Sequence, residues 1–173
     1  MEQYRKTPRA RFLYYDYGEY FVTICTKDKT HYFGEIHDNE MHLSEIGKFC
    51  YDQFANHHSQ NHQIEIMDFT VMPNHVHAIV RIKQDNAPNK STDQRAPNPY
   101  LRAHHTCQRH LPTLSRYISS FKGAITKYAK ANNVDFAWQS RYHDHFIRGT
   151  RDGDKIRNYI INNVSNWDND CFK

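Results

Sequence analysis

"FTVMPNHVHAIV" spans Phe69 to Val80 and carries His75 and His77 one residue apart inside an otherwise apolar, β-prone run. Strand side chains alternate between faces, so both imidazoles lie on one face while Val76 points the other way, into a core. Pro73 and Asn74, just ahead of them, form a turn signal. The stretch therefore reads as a strand, a turn and a second strand bearing two polar rings on one face. Beside such a turn a site facing the sheet's edge can form. Two neighbouring imidazoles can chelate one divalent ion. The competing reading is an idle pair of exposed histidines, since the chain has 13 His. A cupin-type metal strand would need a Glu a few residues later and glycine-rich turns. Here "AIVRIK" follows, and the whole chain has 6 Gly.

The segments on either side of the hairpin alternate in type. "EYFVTICTKD" is rich in β-branched and aromatic residues and predicts a strand from about Tyr20 to Thr26. "HYFGEIHDNEMHLS" predicts a hairpin turning at Asp38-Asn39. Ser44 caps a helix in which Ile46, Phe49, Cys50 and Phe54 follow helical spacing. "HQIEIMDFTVM" predicts the strand entering the Pro73-Asn74 turn. Residues 84–112 are rich in Asn, Pro, Gln and His, which predicts a long flexible loop. Thr113 caps a second helix with an apolar face of Leu114, Tyr117, Ile118, Phe121, Ile125 and Tyr128. "FAWQSRYHDHFIRG" predicts an extended segment, and a short helix from about Asp152 to Asn163 follows. This order predicts an α+β fold, a mainly antiparallel sheet covered by helices, with a ferredoxin-like split βαβ arrangement as the leading candidate. The 173 residues suit a single domain, 1–173.

Composition limits the function classes without choosing one. With 12 Tyr, 10 Phe and 2 Trp the chain is not of the disordered type. The formal charge of +4 permits a nucleic-acid partner without demanding one. Cys25, Cys50, Cys107 and Cys171 are scattered and form no CxxC pair, which fits reduced thiols in the cytoplasm. No apolar run approaches the roughly 20 residues of a membrane span, and the N-terminal residues lack a signal peptide's apolar core.

"VMPNHVHAIV" resembles the HUH motif (His, bulky hydrophobic, His) of single-strand DNA transposases that use one tyrosine. "WQSRYHDHFIRG" and "YIINNVSNWDNDCF" resemble the C-terminal signature of their REP-associated branch: Tyr, then Asn four residues on, usually Pro, then Trp and Asp. The likeness runs in the right order over nearly the whole chain. It implies His75 and His77 as metal ligands, Tyr159 as nucleophile and Asn163 as a third ligand. Val164 stands where the family usually has Pro. Tyr159 and Asn163, four residues apart, share a helix face. Tyr117 and Tyr128 lie on an apolar stripe and read as core.

The resemblance implies metal-dependent cleavage and rejoining of single-stranded DNA carrying a hairpin, through a 5′-phosphotyrosine bond. Mn²⁺ suits the His ligands in affinity, and Mg²⁺ the phosphate oxygens. Arg5, Lys6, Arg9 and Arg11 form a basic arm able to clamp phosphates, and Arg141 and Arg148 are further candidates near the site. Lys155, one turn before Tyr159, is a candidate cation there or simply a solvated lysine. Tyr14, Tyr15 and Tyr17 can stack on unpaired bases or fill the core. His143 and His145 can orient the site or make structural hydrogen bonds. A monomer and a homodimer both stay open. Two rivals stand beside this reading: a DNA-binding protein of the same fold that no longer cleaves, and a metal enzyme acting on small molecules.

Overall fold

The computed structural model describes residues 17–56, 63–83 and 113–173. The basic arm with Arg5, Lys6, Arg9 and Arg11, together with Tyr14, Tyr15, Cys107 and the expected loop at 84–112, lies outside the described residues. The elements in chain order are β1 (Gly18–Cys25), β2 (Gly34–His37), β3 (Glu40–Leu43), α1 (Glu45–Ala55), β4 (Ile64–Met72), β5 (His75–Ile82), α2 (Thr113–Ala131), β6 (His143–Phe146) and α3 (Thr150–Asn162). Short 3₁₀ turns occupy Lys27–Lys29 and Trp167–Asn169.

Four strands form one sheet in the order β4-β5-β1-β6, and every pairing in it is antiparallel. With α1 between β1 and β4, and α2 between β5 and β6, this is the split βαβ arrangement of a ferredoxin-like fold. The β2–β3 hairpin stands apart and turns through Asp38 and Asn39, both at positive φ (52° and 61°). Paired positive φ is the geometry of a tight hairpin turn, and Asn and Asp tolerate it. β5 is an interior strand flanked by β4 and β1, so the His pair does not face the sheet's edge as expected. The pairing partners needed to place a strand inside a sheet come from distant segments, which the turn signal does not report.

The main core lies on one face of this sheet. Tyr20, Val22 and Ile24 of β1 and Val76, Ala78, Val80 and Ile82 of β5 meet Ile46, Cys50 and Phe54 of α1 and Leu114, Ile118, Phe121 and Ile125 of α2. Ser44 caps α1 by accepting from the Gly47 N–H at 3.1 Å. Gly47 is required there, because a Cβ would sit 2.0 Å from the Phe33 carbonyl oxygen. Tyr117 is buried in this core, and Tyr128 stacks on Phe49 with ring centroids 4.0 Å apart. Both therefore pack on the face opposite the histidines.

The other face is thinner and carries α3. Ile156 and Ile160 of the helix pack on Ile79, Phe21, Met67 and Ile147. Gly149 turns the chain into α3 at φ +79°, a conformation glycine adopts without steric cost. A bulge between Ile66 and Asp68 brings Asp68 opposite Ile79, and Arg157 Nε donates to Asp68 Oδ2 at 3.1 Å. That pair ties α3 to β4. Among the described residues, no helix is long and apolar enough to cross a membrane. Cys25, Cys50 and Cys171 are free thiols.

Candidate active site

Strand register builds the floor of the site. Thr23 and Thr70 flank His77, and Cys25 and Met72 flank His75, in cross-strand rows on the α3 face. Both imidazoles are fully buried at 0% exposure. Their Nε2 atoms lie 3.0 Å apart. His75 Nδ1 lies 2.7 Å from Asn74 Oδ1, and His77 Nδ1 lies 2.8 Å from Thr23 Oγ1. Phe21 stacks on the His77 ring at 5.2 Å and meets Tyr159 edge-on at 6.0 Å.

α3 brings two further groups over this floor. The Tyr159 hydroxyl is 3.2 Å from His77 Nε2, while the residue as a whole stays 39% exposed. Asn163, one turn on, is buried, and its Nδ2 donates to Asp170 Oδ2 at 2.7 Å. Val164 in place of proline leaves Asn163 in the α region (φ −65°, ψ −40°), which a following proline disfavours. The backbone accordingly keeps turning past the end of α3, with Asn166 N–H donating to the Asn162 carbonyl at 3.0 Å.

The C-terminal segment closes the site from above. Asp170 Oδ2 lies 3.7 Å from His75 Nε2 and accepts from the Tyr159 hydroxyl at 3.3 Å. The Phe172 ring packs 5.3 Å from His75 and 5.6 Å from His77. Asn74 Nδ2 donates to the Phe172 carbonyl at 3.1 Å, and Lys29 Nζ to the Lys173 carbonyl at 2.6 Å. Trp167 stacks against His75 from the side at 6.1 Å.

Burial sets the electrostatics. It lowers the His75 pKa to about 4, against an upward pull from the Asp170 charge, and lowers His77 well below its usual value. Both rings are therefore neutral at pH 7, the form that ligates a metal. Burial and then the Asp170 carboxylate raise the Tyr159 phenol well above its ordinary value.

His75, His77 and Asp170 bring one ligand atom each within 4.8 Å of one another. Two further observations fit a cation there. The buried Asn163 Oδ1 has no hydrogen-bond donor. The Asp170 carboxylate has a fully buried side chain, and among the described residues no Lys or Arg pairs with it. Asn163 Nδ2, the Tyr159 hydroxyl and the Phe172 N–H donate to that carboxylate, and its negative charge beside two neutral imidazoles suits a divalent ion.

Of the residues singled out from the sequence, His75, His77, Tyr159 and Asn163 come together. Arg141 and Arg148 are exposed. Arg148 contributes its backbone N–H to Asp152 Oδ2, and His145 Nε2 lies 2.9 Å from the same oxygen. Lys155 is exposed, and its charge acts on the Asp152 carboxyl. The ring of His143 reaches Phe172 at 5.7 Å. Tyr17 is 56% exposed and gives its carbonyl to the Tyr20 hydroxyl. Sequence reading missed Asp170, Asn74 and Thr23. Asn74 carried a signal, as the polar neighbour of His75 in a turn, whereas Thr23 is recognisable only through its register with His77.

The fold is similar to that of a tyrosine transposase. It overlays the structure of a REP-associated tyrosine transposase bound to a REP hairpin, with a TM-score of 0.50 and 20% identity over 95% of this chain and 74% of the other. A looser overlay, TM-score 0.45 and 18% identity over 91% of this chain and 96% of the other, relates it to a Deinococcus radiodurans protein provisionally named a transposase. The chain belongs to the same family as an uncharacterized protein of Haemophilus influenzae, with 31% identity over 164 residues that span 92% of this chain and 89% of the relative. No family model matches the sequence.

Proposed function

We propose that this protein is a metal-dependent enzyme of the transposase type, which cleaves and rejoins single-stranded, hairpin-bearing DNA through a 5′-phosphotyrosine bond to Tyr159. The observation that carries the reading is the Tyr159 hydroxyl at 3.2 Å from a buried histidine pair, beside an orphaned Asn163 oxygen. A divalent ion, Mg²⁺ or Mn²⁺, held by His75, His77 and Asn163 with Asp170 as a further oxygen donor, would act as a Lewis acid on the scissile phosphate. The Tyr159 oxygen attacks phosphorus, the bond from phosphorus to O3′ breaks, and a 3′-OH strand is released. Asp170 Oδ2, 3.3 Å from the phenol, is placed to take its proton. A 3′-OH from a second strand then attacks the adduct, restores a phosphodiester and returns the phenol. The energy of the broken bond is kept in the adduct, so rejoining needs no ATP.

The DNA class rests on the shared fold with a transposase bound to a REP hairpin and on the resemblance of the HVH and C-terminal motifs. Exposed Arg141, Arg148 and Lys155 are candidate phosphate contacts, joined by Arg5, Lys6, Arg9 and Arg11. A phosphate reaches the histidines only when the cover over them, the Phe172 ring included, moves aside, because both rings have no exposed surface. That burial lends support to a second reading, a DNA-binding protein of this fold that no longer cleaves. Incubation of an end-labelled single-stranded hairpin with Mn²⁺ separates them: the first reading expects a shortened 3′-OH fragment, and the second expects a shifted but intact strand.

A further inference from the structure

We propose that Asn74 and Thr23 are positioning residues that decide which ring nitrogen of each histidine faces the metal, Asn74 as a fixed partner of His75 and Thr23 as a reversible partner of His77. The inference rests on the metal reading of this site. The Asn74 amide is oriented by its own neighbours. Its Nδ2 donates to the carbonyls of Phe172 (3.1 Å) and Lys29 (3.4 Å), groups that can only accept. Its Oδ1 is therefore the atom that faces His75 Nδ1 at 2.7 Å, and that oxygen can only accept. The hydrogen sits on His75 Nδ1. A neutral imidazole has one N–H, so His75 Nε2 presents a lone pair to the site in every metal state.

His77 follows a different rule. Its Nε2 lies 3.0 Å from His75 Nε2, and two lone pairs do not face each other at that distance without a proton or a cation between them. In the metal-free protein His77 carries its hydrogen on Nε2, donates it to His75, and accepts at Nδ1 from the Thr23 hydroxyl at 2.8 Å. When both Nε2 atoms ligate an ion, the His77 hydrogen must be on Nδ1, and Thr23 must accept it. One proton is exchanged through solvent from Nε2 to Nδ1, so the ring's charge does not change. A hydroxyl serves both states by rotating, whereas an amide oxygen serves one. Thr23 is 2% exposed and paired in register with His77, which holds its oxygen in place.

Partners of this kind behind a metal ligand typically change affinity by about 10–100-fold when removed. Long-range ¹H–¹⁵N NMR reads the ring tautomers directly, without DNA and without turnover. The expected spectrum has His75 protonated at Nδ1 with and without Zn²⁺, and His77 moving from Nε2–H to Nδ1–H as Zn²⁺ saturates the site. Asn74→Ala is expected to release the His75 preference and weaken Zn²⁺ binding by about tenfold or more. Thr23→Val is expected to weaken binding, and Thr23→Ser to restore it. His75 protonated at Nε2 in the wild type, or Asn74→Ala binding Zn²⁺ as tightly as the wild type, overturns the proposal. The wild-type spectrum decides the His75 half even if a variant fails to fold. Expected tautomers in a protein that cleaves no hairpin would sink the proposed function and leave this inference standing; cleavage by a protein with His75 protonated at Nε2 does the reverse.

Discussion

The Tyr159 hydroxyl lies 3.2 Å from Nε2 of His77, a residue 82 positions earlier in the chain. Three features of the fold create that approach. Gly149 turns the chain into α3, Ile156 and Ile160 seat the helix on Ile79 and Phe21, and the Arg157–Asp68 pair fastens it to β4. Tyr159 and Asn163 then project from one helix face onto one pair of rings.

If the rings hold a divalent ion, replacing either removes a ligand. His75→Ala and His77→Ala are each expected to weaken Mn²⁺ binding by more than about 100-fold, beyond the loss typical of groups behind a ligand. His143→Ala, an exposed ring outside the ligand set, is expected to leave it unchanged. Isothermal titration with Mn²⁺ checks all three. Equal binding by the His77→Ala protein would count against a metal at this pair.

Asp170 and Phe172 cover the same rings but are expected to act in opposite directions. Asp170→Asn removes a buried charge facing His75 and is expected to weaken Mn²⁺ binding by about tenfold, roughly 1.4 kcal/mol. The same change removes a charge that raises the Tyr159 phenol, so that phenol is expected to ionise at lower pH. Tyrosinate absorbance, taken as the difference from the matching Tyr159→Phe protein, measures it. Phe172→Ala clears apolar cover and leaves every ligand in place, so hairpin DNA is expected to react several-fold faster. A slower reaction would show that the ring helps to build the site.

Acid is expected to destabilise the metal-free protein in a defined window. Burial holds His75 neutral down to about pH 4, whereas the ordinary imidazole value is 6.5. The unfolded chain therefore binds more protons between those values. The His75 contribution is complete above about pH 6.5 and is lost as pH falls toward 4, a change on the order of 3 kcal/mol. His77, lowered for the same reason, adds to it. Thermal melts in the presence of a chelator are expected to show Tm falling across that window. A Tm that stays level between about pH 7 and about pH 4.5 would contradict the burial of neutral rings.

Local chemistry in the sequence anticipated much of this architecture. The Pro73-Asn74 turn, the Ser44 cap and the apolar stripe from Leu114 to Ile125 each appear where residue type and spacing placed them. Val76 points into the core and the two histidines away from it, as strand alternation requires. Long-range register was not legible. Nothing in "FVTIC" marks Thr23 as the neighbour of His77, and nothing in "NWDND" tells that Asp170 folds back over the sheet while Asp168 stays outside. Those facts depend on pairings between segments far apart in the chain.

The central claim is that Tyr159 forms a covalent bond with DNA. The direct measurement is mass spectrometry of the protein after incubation with a single-stranded hairpin and Mn²⁺, followed by nuclease and protease digestion. The account predicts a nucleotide phosphate on the peptide that carries Tyr159, lost in Tyr159→Phe and in wild-type protein treated with a chelator. An adduct that persists in Tyr159→Phe, or one mapped to a different tyrosine, would contradict it.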